Sequence, residues 1–548
     1  MKIMEYTLIF KQRFHIVALR SIRYSRHMTH YRSQCYIDGT WCGSTSGLTF
    51  PVVNPATGLT VGEAPALTKE QIHTTIEAAH RALASWRTLP AAQRAQFLRR
   101  VGDLLMSEQE ACARLITEEQ GKPLRESRGE VAYSAQYFHW FAEEARRIHG
   151  DISSADENGK RIVVLKQPLG VVAAITPWNF PIAMLARKMA AALAAGCTFI
   201  AKPAPETPFS ALFLADIIAR AQVPAGVVNI VTGDAAMIGD ALMQSRIVRK
   251  VSFTGSTEVG KLLIEQSAVT VKKLTLELGG NAPCIIFDDA DLDKALRGAI
   301  FGKYRNAGQT CICINRFLVH ESITEQFTAL LVERSKALVV GDGFNEKTDI
   351  GPLISAEAVA KVARLVTDAQ LKGARIALGD SSKLAAGLFV APIVLSDVTS
   401  TMDLWSEEIF GPVCAIRSFA DEHEAIELAN DSRYGLAAYV YSRDHGRACR
   451  VAERLEYGMV GVNDTAISNV QAPFGGVKES GFGREGGSQG IEEYLYAQYL
   501  LVDSEMCIRD SAIPPGGLDY IAGPQPPSHA KKITCAAKRY HALQEADP

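Results

Sequence analysis

One stretch, from Val171 to Gly260, constrains this chain more than any other: short apolar runs alternate with Ala/Leu-rich segments of helical length. A strand is expected at Val171–Thr176, closed by Pro177. Pro181 then sits where a first helical turn tolerates proline, Ile182–Ala195 is rich in good helix formers, and Gly196 supplies the stop. Further strands are expected at Thr198–Ala201, Val227–Val231 and Lys250–Phe253, with a helix near Phe209–Arg220 and another opening at Gly255. Repeated β-α units of this kind build a parallel sheet, so the fold class is α/β. In such sheets ligands gather beyond the carboxyl ends of the strands. The conspicuous residues stand at those ends: Trp178 and Asn179 after one strand, Lys202 at the next, Gly255 and Ser256 after a third.

At 548 residues the chain is longer than a usual single domain, and two or more packed units are expected. Its 58 basic and 60 acidic residues leave a formal net charge of −2, which recommends neither nucleic acid nor a membrane surface as partner. A small molecule is the expected ligand. No apolar run approaches the ~20 residues that span a bilayer. The 11 cysteines are scattered, apart from Cys311 and Cys313, so neither a metal-ligand set nor a disulfide framework is expected, and a reducing compartment fits.

The two ends differ from the middle. Residues 1–27 carry Lys2, Lys11, Arg13, Arg20, Arg23 and Arg26 against the single acid Glu5. That composition belongs either to an organellar transit segment of a mitochondrial protein or to a misplaced start ahead of Met28 in a cytoplasmic one, the second being favoured. In residues 501–548 the hydrophobic periodicity stops, and the runs Pro514-Pro515-Gly516-Gly517 and Pro524-Gln525-Pro526-Pro527 point to a disordered or non-native tail.

Between those ends four segments carry the functional reading: Pro177-Trp178-Asn179-Phe180-Pro181, Glu277-Leu278-Gly279-Gly280-Asn281, Asn306-Ala307-Gly308-Gln309-Thr310-Cys311 and Glu407-Glu408-Ile409-Phe410-Gly411-Pro412. In this order and at these spacings the chain resembles the aldehyde dehydrogenase superfamily from about Tyr36 to Tyr499, including Pro473-Phe474-Gly475-Gly476 and Gly481-Phe482-Gly483-Arg484-Glu485. The resemblance implies a Rossmann-type cofactor domain from residues 28–145 and 168–278, an α/β catalytic domain from 279–462, and a small β arm from 146–167 and 463–500. An arm of strands needs an edge to pair with, so a homodimer or homotetramer is expected.

The chemistry explains those residue types. Hydride loss from an aldehyde requires a tetrahedral carbon bearing an oxyanion, which a thiolate creates by adding to the carbonyl. The nucleophile is Cys311. By resemblance the Asn179 amide and the Cys311 backbone N–H receive the oxyanion, and Glu277 is the base that activates water against the thioester. By the same resemblance Trp178, Lys202, Gly255, Ser256, Leu278, Glu408 and Phe410 contact the dinucleotide. Many relatives that use NAD place a glutamate three residues after the lysine, where it holds ribose hydroxyls and repels a 2′-phosphate. Here that position is Pro205, so NADP is tolerated beside NAD, with a lean to NADP, although Glu206 follows directly.

The substrate rests on a narrower likeness. Cys311-Ile312-Cys313, Arg305 and Ala186-Arg187-Lys188 are similar to succinate-semialdehyde dehydrogenases, and a substrate ending in carboxylate suits guanidinium groups, which bind carboxylates bidentately. Arg187, Arg305 and Ser468 are the substrate-binding candidates. Two alternatives stay open: glutarate semialdehyde or another ω-carboxylated aldehyde, and a catalytically silent protein of the same fold, which the intact Asn179, Glu277 and Cys311 argue against. Cys313 has two readings as well, an inert buried thiol or a redox partner of Cys311.

Overall fold

The computed structural model describes residues 32–157, 159–379 and 385–503. The basic stretch 1–27 and the Pro-rich part of the tail lie outside the described residues. Leu501 and Val502, expected to open that tail, instead belong to a strand that runs to Asp503.

Five parallel strands make the centre of an eight-stranded sheet, in the order Val228–Ile230, Thr198–Lys202, Val171–Ile175, Val248–Thr254 and Lys273–Glu277. Antiparallel strands close both edges: Cys35–Ile37 with Thr40–Cys42 on one side, Gly481–Phe482 on the other. Side chains alternate between the faces, as a two-residue period demands. Val172, Ala174, Phe199 and Ala201 pack with the Pro181–Ala195 helix on one face. Val171, Ala173, Ile200 and Val251 pack with Ile72, Ile76, Ile238 and Leu242 on the other. Every residue of the Pro181–Ala195 helix is buried, because it lies between the sheet and the Leu124–Glu144 helix and therefore needs no polar stripe.

A second, seven-stranded sheet follows in the chain. Its order is Arg375–Leu378, Ile393–Ser396, Val413–Phe419, Ile314–His320, Ala282–Ile286, Ala437–Tyr441 and Met459–Val462, parallel except at the first strand. Ala282–Ile286 is buried throughout, which explains its unbroken apolar sequence.

Both sheets fall in one compact unit, residues 32–150 and 164–499. Among the described residues, 151–157, 159–163 and 500–503 form a second unit. The strands Asp151–Ser154, Lys160–Pro168 and Leu495–Asp503 form a three-stranded sheet with Lys160–Pro168 at its centre. Residues 463–494, expected with this arm, belong to the larger unit, because Gly481 and Phe482 pair with Glu277 and Leu276 at the first sheet's edge. No helix among the described residues is long and apolar enough to cross a membrane.

Candidate active site

Val171–Ile175 ends just before Trp178 and Asn179, and Asn179 is buried ahead of the Pro181–Ala195 helix. Its Nδ2 donates to the Gln309 carbonyl at 3.0 Å, and Phe180 N donates to its Oδ1 at 3.1 Å. Those bonds fix the orientation of the amide and leave one Nδ2 hydrogen for a ligand. Gln309 stands two residues before Cys311, so this bond ties the amide to the loop that carries the thiol. In that loop Asn306 and Ala307 adopt left-handed φ of 50° and 56°, a strained backbone for residues with a Cβ. Glu126 holds it by accepting from Asn306 N at 2.8 Å, and Tyr439 Oη donates to the Ile312 carbonyl at 2.8 Å.

Cys311 is half-buried in the wall of a cavity of about 720 Å³, and Arg187, Arg305 and Ser468 line the same cavity. Residues distant in sequence are thus brought to one place. Burial pushes the Cys311 thiol up to about 12, against Arg187 and Arg305 and together with Glu408 and Glu277. The resting thiol is protonated. Gly280 lies against the Cys311 backbone: an ideal Cβ there would stand 2.2 Å from the Cys311 carbonyl oxygen, an approach only glycine permits.

Glu277 ends the Lys273–Glu277 strand with 1% exposure, and neither carboxyl oxygen has a hydrogen-bond partner among the described residues. Burial, reinforced by the Glu485 carboxylate and opposed by Arg187 and Lys188, raises its pKa well above the ordinary carboxyl range. Space has been kept beside it, since a Cβ on Gly475 would come within 3.0 Å of Glu277 Oε1.

Glu485 closes one of the motif segments, but its place beside Glu277 and its pairing with Arg187 and Lys188 are not expected from the sequence. Burial would raise it, but Arg187 and Lys188 outweigh that and hold its carboxyl below the ordinary value. It forms ion pairs with both. Nearly 300 residues separate the partners, so only the sign of the charges could have hinted at the pairing. Arg187 is 1% exposed, with its guanidinium 4.3 Å from the centre of the Phe474 ring, and its Nη2 has no hydrogen-bond partner among the described residues. Arg305 differs. It is half-exposed, sits 5.0 Å from the Phe180 ring centre, and has no carboxylate at ion-pairing distance among the described residues.

The remaining candidates lie around the carboxyl ends of the first sheet and the adjoining Glu408 segment. Lys202 is buried at the end of Thr198–Lys202 and makes no ion pair among the described residues; burial lowers its pKa, against Glu206 and Asp234. Pro205 is exposed. Ser256 caps the Thr257–Ser267 helix by accepting from Val259 N at 3.3 Å, so this helix opens two residues later than Gly255. A Cβ on Gly260 would stand 2.5 Å from Leu278, which packs beneath that first turn. Glu408 accepts from Gly280 N at 3.1 Å, and burial pushes it up to about 7. Trp178 and Phe410 meet edge to face at 5.7 Å. An unpaired buried ammonium, a buried carboxylate and a helix N-terminus are groups that fit a dinucleotide. Cys313 is buried, its Sγ 3.6 Å from the carbonyls of Lys303 and Ile314, and it does not line the cavity with Cys311.

Comparison with known proteins agrees with this arrangement. The sequence profile described as "Aldehyde dehydrogenase family" matches residues 41–500. A glutarate-semialdehyde dehydrogenase of Pseudomonas putida is 51% identical over 86% of this chain and 98% of its own length. An NADP(+) succinate-semialdehyde dehydrogenase of Escherichia coli is 50% identical over the same shares. The crystal structure of succinate-semialdehyde dehydrogenase from Burkholderia pseudomallei superposes with a TM-score of 0.85 at 52% identity, covering 86% of this chain and 98% of that one. With the Cys311 thiol in a cavity wall, the Asn179 amide bonded to the loop that carries it, the buried Glu277 carboxyl close enough to act on the thiol's charge, and these matches running nearly end to end through the relatives, the chain belongs to the aldehyde dehydrogenase family.

Proposed function

We propose that this protein oxidises succinate semialdehyde to succinate with NADP or NAD. The observation that carries the substrate is that the Arg305 guanidinium, without an ion-pair partner among the described residues, lines the same cavity as Cys311, together with Arg187 and Ser468. In this reading the distal carboxylate of an aldehyde attached to Cys311 is received by these groups.

In this reading the Cys311 thiolate adds to the aldehyde carbon, and the free Nδ2 hydrogen of Asn179 with the Cys311 N–H stabilises the oxygen as it gains charge. When bound, the nicotinamide cofactor accepts the hydride. Trp178, Lys202, Gly255, Ser256, Leu278, Glu408 and Phe410 are the groups that hold it, and Pro205 leaves space for a 2′-phosphate. Glu277 then takes a proton from water, and the hydroxide attacks the thioester carbon and releases Cys311. Burial raises the pKa of both Cys311 and Glu277, and each acts in its deprotonated form, which favours turnover at higher pH.

We assign residues 28–145 and 168–278 to cofactor binding and 279–462 to catalysis. Tyr496, Tyr499, Leu500, Leu501 and Val502 leave the Leu495–Asp503 strand with exposed apolar side chains, which supports assembly into a homodimer or homotetramer. Glutarate semialdehyde is the second substrate reading, favoured by the cavity volume and by the name of the Pseudomonas putida relative. Following reduced-cofactor absorbance with succinate semialdehyde, glutarate semialdehyde and butanal, each with NAD and NADP, separates the readings. Higher kcat/KM for the five-carbon acid would replace the first by the second, and highest kcat/KM for butanal would remove both.

A further inference from the structure

Lys122 takes no part in the chemistry described above, yet it is 1% exposed and lies against the oxyanion segment. Its Nζ donates to the backbone carbonyl of Asn179 at 2.5 Å and to Glu130 Oε2 at 2.7 Å, and stands 3.7 Å from the centre of the Phe180 ring. The other oxygen of Glu130 accepts from Ile182 N at 2.9 Å and Ala183 N at 3.2 Å, the free amides that open the Pro181–Ala195 helix. Four residues earlier on the Leu124–Glu144 helix, Glu126 accepts from Asn306 N in the thiol loop. Asn306 Nδ2 returns to the same Asn179 carbonyl at 3.0 Å, and Gln120 Nε2 donates to Asn306 Oδ1 at 3.0 Å.

The start of one helix therefore grips both halves of the site. Glu126 holds the loop of Cys311, while Glu130 and Lys122 hold the segment of Asn179. The Asn179 carbonyl is the shared point, receiving Lys122 from one side and Asn306 from the other. A buried ammonium with a buried carboxylate is weak support for stability alone, since apolar side chains of similar volume do as well. What the pair supplies is direction: three donor-acceptor contacts set the position of the backbone that carries the Asn179 amide.

We propose that Lys122 is a positioning residue that, with Glu130, holds the Asn179 amide at the distance from Cys311 that the oxyanion requires. The inference rests on Asn179 being the oxyanion donor. A misplacement of ~1 Å costs on the order of 100-fold in rate.

The test is a cycle between Lys122→Met/Glu130→Gln and Asn179→Ala, read as the pre-steady-state rate of hydride transfer to NADP with saturating succinate semialdehyde and again with butanal. Glu130→Gln keeps an oxygen for Ile182 N and Ala183 N while removing the charge that Lys122→Met would strand. The expected result is a loss of roughly 10- to 100-fold for both aldehydes in the Asn179 background and less than about 3-fold in the Asn179→Ala background, because a misplaced amide cannot be lost twice. NADP affinity, read by fluorescence quenching, should stay within about 2-fold, since no cofactor contact is altered. Equal losses in both backgrounds, or no loss in either, would overturn the proposal while leaving the Asn179 assignment standing. Full activity in Asn179→Ala alone would instead remove the oxyanion reading, and this proposal with it. If the paired variant does not fold, Lys122→Arg carries the same cycle, since the guanidinium keeps the charge opposite Glu130 but not the single ammonium contact to the Asn179 carbonyl.

Discussion

Replacing Arg305 by Ala should remove the preference for a carboxylated aldehyde and leave the chemistry intact. In the structure Arg305 has no ion-pair partner to strand among the described residues, and its guanidinium rests near the Phe180 and Phe301 rings, 5.0 and 5.7 Å from their centres. A charge-assisted hydrogen bond contributes roughly 1.5–3 kcal/mol, and partial exposure screens it toward the lower end. The ratio of kcat/KM for succinate semialdehyde to that for butanal should therefore fall on the order of 10- to 30-fold, almost all of it from the carboxylated substrate. Arg187→Ala is the informative contrast. It leaves Glu485 with Lys188 as its one ion-pair partner among the described residues and removes a positive charge that acts on Glu277 and Cys311, so both substrates should suffer. Steady-state assays of both variants with both aldehydes decide the matter. If Arg305→Ala slows butanal as much as succinate semialdehyde, the guanidinium is not reading the substrate carboxylate. Arg305→Lys should recover only part of the loss, since an ammonium keeps the charge without the fork.

Three further outcomes are expected. Glu277→Gln should give a burst of reduced cofactor and then negligible turnover; because the raised carboxyl makes native protein bind more protons than unfolded, wild-type stability should drop by up to ~1.4 kcal/mol per pH unit above its unfolded pKa until the folded pKa is reached. The gap in Tm between Glu277→Gln and wild type should thus widen as pH rises, and a constant gap would contradict the raised pKa. Iodoacetamide should alkylate Cys311 of the cofactor-free protein slowly, with a rate rising about tenfold per pH unit and no plateau near neutrality, as a thiol pushed up to about 12 requires; a neutral-pH plateau would show a resting thiolate. Pro205→Glu should raise the KM for NADP on the order of 10-fold by like-charge repulsion while leaving NAD little changed, and parallel shifts for both cofactors would place the 2′-phosphate elsewhere.

Much of the first sheet was legible because buried parallel strands are nearly all apolar and are punctuated by Pro177, Pro181 and Gly196. The Pro181–Ala195 helix begins and ends where those residues put it. The Ala235–Gln244 helix was not read, since ten residues with Gly239 inside give too short a period to separate from a loop. The thiol loop could be placed by its motif but not its strained backbone at Asn306 and Ala307, which is held from outside by Glu126 and Gln120 and from within by Gln309. Arg187 shows the same limit. Read along the chain it is a cation available to a substrate; in the fold much of its charge is committed to Glu485, a residue from a hairpin that was expected in the arm.

Because Gly280 lies directly against the Cys311 carbonyl and the thiol loop is braced by contacts from several elements, the reacting groups have almost no freedom to drift under mutation. Another part of the cavity lining is built differently. Arg297, Ile300, Phe301 and Arg305 project from or just follow a single helix, Leu292–Tyr304, and Ser468 comes from a separate stretch past the last strand of the second sheet. New aldehyde preferences can therefore be acquired by exchanging side chains along one helical face, each step leaving a working enzyme behind it. A lineage with this architecture is free to diversify what it oxidises while inheriting how it oxidises, and directed evolution of this protein should find its productive substitutions on that face.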